Sequence, residues 1–129
     1  MKIILFVIAI FLNLGCSTLE KKITEISVKK VSLNIDTVMS VDCNSFDMRF
    51  KKIMKVYVIK NKIVLKNTYL IIKDLKYSDE IRNIDTRKKI IISYSDNTND
   101  TICASLSGIS LNGKLMDVDK KVLNFIHKL

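Results

Sequence analysis

The 129-residue chain has no proline and no tryptophan, and only three glycines, three arginines and one histidine. Each shortage excludes some chemistry. Gly15, Gly108 and Gly113 are too few and too scattered to build a phosphate-cradling loop. His127 has no second histidine to share a metal with, and a Ser-His-Asp or Cys-His arrangement would rest on one residue of the last helical turn, where a solvated imidazole is expected. Three cysteines without a CxxC spacing do not suggest dithiol redox catalysis. The formal charge of +9 is almost entirely lysine. Readers of nucleic acid rely on the planar arginine fork for bidentate binding, so no nucleic-acid partner is expected from a lysine-rich, arginine-poor chain. Together with many isoleucines and asparagines, this is the profile of AT-rich coding. The length allows one small domain, and the 48% apolar content allows it a core.

What is present begins at the amino terminus. Met1-Lys2 is followed by an unbroken apolar run from Ile3 to Leu12 and then by Asn13-Leu14-Gly15-Cys16. This is the layout of an export signal: a charged start, a hydrophobic stretch and a cleavage region. The run is shorter than the roughly 20 residues a spanning helix needs. Gly15 directly before Cys16 resembles the lipobox of bacterial lipoproteins, although that family usually has Leu three before the cysteine and a small residue two before, where this chain has Asn13 and Leu14. The resemblance implies cleavage after Gly15, diacylation of the Cys16 sulfur and a membrane-anchored location in the bacterial cell envelope, periplasmic or surface-exposed. Two or more acyl chains hold a small domain firmly, at about 0.8 kcal/mol per buried CH₂.

Loss of residues 1–15, which carry one lysine, would take the chain from 129 residues at +9 to 114 at +8. Cys43 and Cys103 would then be the two remaining thiols. In an oxidising compartment they are expected to form one disulfide across a loop of about 60 residues; the alternative is two separate buried thiols. Residues 16–27 read as the lipidated cysteine and a polar tether, and residues 28–129 as a single α+β domain.

Within that domain, Val31, Leu33 and Ile35 alternate with polar residues, as do Phe46, Met48 and Phe50, and both stretches read as half-buried strands. Lys55–Ile59 is a β-branched run. Residues 62–76 fit a helix with Val64, Thr68, Ile71 and Leu75 on one face, or alternatively a hairpin turning at Lys66-Asn67. Residues 76–87 read as a connection. Two hairpins follow: Ile90–Tyr94 with Ile102–Leu106 around the cluster 96–100, then Ile109–Leu111 with Leu115 around Asn112-Gly113. The clearest helix is C-terminal, capped by Asp117 with Asp119 in its first turn, and with Val118, Val122, Phe125, Ile126 and Leu129 on one face. The expected fold is an antiparallel sheet of about five to seven strands with one or two helices on one face.

No catalytic constellation emerges. Gly108-Ile109-Ser110-Leu111-Asn112 lacks the last glycine of a nucleophile elbow. Asp96–Asp100 lacks the central glycine and closing glutamate of a calcium loop and reads as a turn. Asn99-Asp100-Thr101 matches a glycosylation sequon that carries little meaning in a bacterial cell. Asp42, Asp47, Asp85 and Asp100 are not paired by spacing, and Asp85 with Arg87 is read as a surface ion pair. The stretches around Cys43-Phe46, Ile84–Arg87, Asp100–Cys103 and Leu111–Lys114 resemble small bacterial lipoproteins, which implies an envelope location and no activity. The expectation is a non-enzymatic module without cofactor or metal, binding a protein or anionic glycan partner. The alternative is an inhibitor or immunity-type protein acting on an acidic envelope enzyme or toxin. The positive charge disfavours a basic lysozyme as target.

Overall fold

The computed structural model describes residues 20–129; Gly15, Cys16 and the apolar run before them lie outside the described residues. The elements are β1 (Ile23–Lys30), α1 (Phe46–Phe50), β2 (Lys55–Ile59), α2 (Lys62–Lys73), β3 (Lys76–Tyr77), β4 (Lys88–Tyr94), β5 (Asn99–Ala104), β6 (Ile109–Leu111), β7 (Lys114–Asp117) and α3 (Lys120–Lys128). The strands form one antiparallel sheet in the order β2-β1-β4-β5-β6-β7-β3. The fold is α+β with a C-terminal helix, as the sequence predicts.

Both predicted hairpins form. The second turns on Asn112 at φ 50° and Gly113 at φ 83°, positive values that a two-residue hairpin loop requires and that Asn and Gly tolerate best. Around the first turn, Asp96 accepts hydrogen bonds from the Thr98 amide (3.0 Å) and hydroxyl (2.6 Å), and Asn97 adopts a φ of 64°. The cluster is a turn with its carboxylate already used.

Alternate residues of the central strands, Ile26 and Val28, Ile90 and Ile92, and Ile102, meet Leu65 and Ile72 of α2 and Ile126 of α3 in one buried cluster. Residues 62–73 are therefore helix, not hairpin. Asn61 caps α2 by accepting from the amides of Ile63 and Val64, and Thr68, buried inside the helix, donates its hydroxyl to the Val64 carbonyl at 2.8 Å. The buried line is Leu65, Thr68 and Ile72, with Val64 and Leu75 at its margin. In α3 the cap is Asp119, which accepts from the Val122 amide at 2.8 Å, whereas Asp117 belongs to β7 opposite Lys76.

Three expectations are corrected. The domain starts at Ile23, not residue 28, so half of the predicted tether is the central strand β1. A register shift between Ile23 and Glu25 breaks the period-two pattern there, which is why the segment has no alternation to read. Residues 46–50 are a helix. Phe46 and Phe50 are spaced i, i+4, which satisfies a strand face and a helix face equally; their rings meet edge to face at 5.1 Å, while Met48 is 72% exposed. Residues 31–35 are irregular. Val31 extends the β1–β4 contact by one hydrogen bond to the Arg87 carbonyl, and a turn from Ile35 back to Ser32 ends it. Val31, Val41, Phe46 and Phe50 make a second, smaller core.

Candidate functional site

Strand registers decide which charges meet, and they do so differently on the two faces of the sheet. On one face Lys29 of β1 lies directly opposite Lys89 of β4, and Lys89 opposite Cys103 of β5. Like charges side by side on neighbouring strands repel. Here α1 answers them: the two carboxylate oxygens of Asp47 each accept a hydrogen bond at 2.6 Å, one from Lys29 and one from Lys89. Burial pushes the Asp47 carboxyl up, but those two ammonium groups outweigh it and hold it below the usual carboxylate value. Just before α1, Cys43 is brought to Cys103 with Cα atoms 5.7 Å apart and the sulfurs at bonding distance, so the two expected partners do meet.

A polar cleft of about 520 Å³ lies beside the bridge, lined by Asp42, Asn44, Arg82, Asn83, Lys89 and Asn112 among others. Most of its polar groups are already engaged. Asp42 accepts from the Ser45 amide at 2.7 Å, which lowers its pKa. Arg82 pairs with Glu80 at 3.0 Å, and Asn112 donates to Asp100 at 2.9 Å while accepting from the Thr101 amide.

The helix-bearing face carries the second lysine row. Lys55 of β2 is opposite Lys30 of β1, and Lys30 opposite Lys88 of β4. Adjacent strands are about 4.8 Å apart, so three ammonium stems stand in line. Lys88 is only 4% exposed; its ammonium donates to the carbonyls of Ile126 (3.1 Å) and His127 (2.7 Å) at the C-terminal, partially negative end of α3. Burial, and then the charge of Lys30, pull the Lys88 pKa from 10.5 down to about 8. Lys30 lies 5.0 Å from the centre of the Tyr57 ring, and the Tyr57 hydroxyl donates to a main-chain oxygen of Leu129. Lys55 is exposed and makes no ion pair among the described residues. The row opens on a cleft of about 460 Å³ whose other walls are Val31, Ser32, Leu33, Ile35, Ile53 and His127; no carboxylate side chain lines it.

His127 is not a freely solvated residue: it is half-buried, and its Nε2–H donates to the Ser105 carbonyl at 2.8 Å. Nor is Asp85–Arg87 a surface pair. The Arg87 side chain is buried, bonded to Asp85 Oδ1 at 2.7 Å and to Thr37 at 3.0 Å, and Asp85 also accepts the Val41 amide at 2.8 Å. The pair ties the irregular segment 31–45 to the sheet. Asp100 accepts from the Tyr94 hydroxyl at 2.6 Å; burial, and then this hydrogen bond, raise the Tyr94 pKa. The four candidate carboxylates, Asp42, Asp47, Asp85 and Asp100, are thus each engaged by a different partner. Among the described residues no group of three or more His, Cys, Asp or Glu is placed to hold a metal, and no helix is long and apolar enough to cross a membrane.

The lysine row escaped sequence reading. Its members are 25 and 33 residues apart and share no motif; only the registers of two strand pairs put them together. Compared with known family models, curated proteins and solved structures, the chain has no match.

Proposed function

We propose that the chain is a non-enzymatic binding module held on the bacterial cell envelope by lipid on Cys16, and that it engages an anionic partner through the Lys55–Lys30–Lys88 row. The observation that carries this reading is a transverse row of three lysines opening on a cleft that no carboxylate side chain lines. A fold that sets its own Asp47 between Lys29 and Lys89 leaves this second row to a charge from outside. The anchor is supported by the apolar run and Gly15-Cys16. Only residues 17–22 separate Cys16 from β1, which spans at most about 20 Å when extended and keeps the domain near the lipid surface. An exported location also suits Cys43 and Cys103 as an oxidised pair.

The alternative is an inhibitor or immunity-type protein acting on an acidic envelope enzyme or toxin. It draws on the exposed edge strand β2, where Val56 and Val58 are more than half exposed beside Lys55 and offer an apolar margin to a protein surface.

The deciding measurement is the intact mass of the protein extracted from its native membrane, with thiol alkylation before and after reduction. The expected species begins at Cys16, carries added acyl mass, and exposes two thiols to alkylation only after reduction. A full-length or unacylated chain whose three thiols, Cys16, Cys43 and Cys103, are all alkylated before reduction would sink the anchor and the bridge together.

A further inference from the structure

The apolar walls of the lysine cleft narrow the kind of anion it takes, on the reading that this cleft is the binding site. An anionic glycan would satisfy the ammonium groups but set hydroxyls against Val31, Leu33, Ile35 and Ile53. A purely apolar ligand would leave the lysines unanswered. The lining is divided: charge on the sheet floor, where Lys30, Lys55 and Lys88 stand in register, and hydrocarbon on the segment 31–35 and Ile53. The volume of about 460 Å³ falls within the range of small-molecule sites. Lys88 uses two of its three N–H donors on α3 carbonyls, which leaves one, with those of Lys30 and Lys55, for an incoming acceptor. The other groups facing this end are His127, already bonded to Ser105, and Tyr57, bonded to Leu129; neither brings a carboxylate side chain.

We propose that the cleft binds an amphipathic carboxylate of medium chain length, its carboxylate against Lys30, Lys55 and Lys88 and its hydrocarbon chain along Val31, Leu33, Ile35 and Ile53. This ligand sets a carboxylate among the lysines of the open face, as Asp47 does on the closed one. Binding is non-covalent, and no step of chemistry follows it.

The test uses the full chain in its native membrane, treated with limiting acetic anhydride in the presence of decanoate, decanol or polygalacturonate, with acetylation read at each lysine by peptide mass spectrometry. Decanoate at about twice its dissociation constant should slow acetylation of Lys30 and Lys55 about threefold, with Lys114 and Lys121 unchanged. Decanol should protect neither. Lys55→Glu, at an exposed position, supplies the absent carboxylate from within and should abolish the protection of Lys30 by decanoate. Equal protection by decanol, or protection by decanoate that survives Lys55→Glu, would overturn the proposal. Stronger protection by polygalacturonate would overturn this ligand class while leaving an anionic partner at the cleft. Protection by none of the three would overturn the cleft as a binding site altogether, whatever the acyl mass of Cys16 says about the anchor.

Discussion

The two faces of the sheet pose the same electrostatic problem and meet it differently. On the closed face Lys29 and Lys89 stand opposite each other, and α1 delivers Asp47 between them with the Cys43–Cys103 pair at its root. On the open face, one residue along each strand, Lys30 and Lys88 stand opposite each other with Lys55 beside them, and their partners are helix carbonyls, an aromatic ring and solvent. A carboxylate shared by both ammonium groups makes the first row part of the folded framework. The second row has three ammonium groups, no carboxylate side chain between them, and a cleft at its border.

Breaking the closed face should have the largest effect. The bridge closes a loop with a sequence separation of 60, and its removal by reduction or by Cys43→Ala with Cys103→Ala should lower stability by about 4 kcal/mol, read from urea denaturation. Next comes the carboxylate. Asp47→Asn leaves two half-buried ammonium groups facing each other without a counter-charge and should cost about 2 kcal/mol. Because the folded pKa of Asp47 is lowered, its contribution is present above the unfolded value near 4 and is lost as pH falls through the folded one. The Asn variant should therefore show a weaker acid dependence than the parent.

The open face should respond to alkali instead. Lys88 is depressed from 10.5 to about 8, so between these values the unfolded chain holds the extra proton, and stability rises with pH across that window. The gain should be about 2 kcal/mol, smaller than the full shift because the α3 carbonyls favour the charged form. Thermal unfolding of the parent and of Lys88→Met at pH 7.5 and 10 checks it: the Met variant should lose most of the difference. The smallest effect is that of Lys55→Glu, which imitates the closed face by placing a carboxylate beside Lys30. It should add about 0.5–1 kcal/mol, fading at high salt, because the position is exposed.

The parts of the fold that could be read from sequence are those governed by neighbours in the chain. Asn112-Gly113 can take the positive φ values of a tight turn, and Val122, Phe125, Ile126 and Leu129 mark a helix face without reference to anything distant. Reading failed where a local pattern was ambiguous or interrupted. Phe46 and Phe50 fit two periods at once, and only the exposure of Met48 separates them. At the start of β1, the register shift at Ile23–Glu25 hides a strand inside what looks like a tether.

The sites divide along the same line. Parity alone suggested Cys43 with Cys103, since two thiols remain once Cys16 is set aside, and the structure joins that pair. Nothing in the sequence paired Asp47 with Lys29 and Lys89, or assembled Lys30, Lys55 and Lys88. By itself the sequence determined the fold class, the hairpins and the terminal helix, and pointed to Cys43 with Cys103 once Cys16 is set aside, because turn chemistry, periodicity and parity are properties of the chain. Which lysines face a carboxylate and which face a cleft was decided by tertiary structure alone. Side chains alternate along a strand, so a slip of one residue in register would exchange the two faces and with them the two rows.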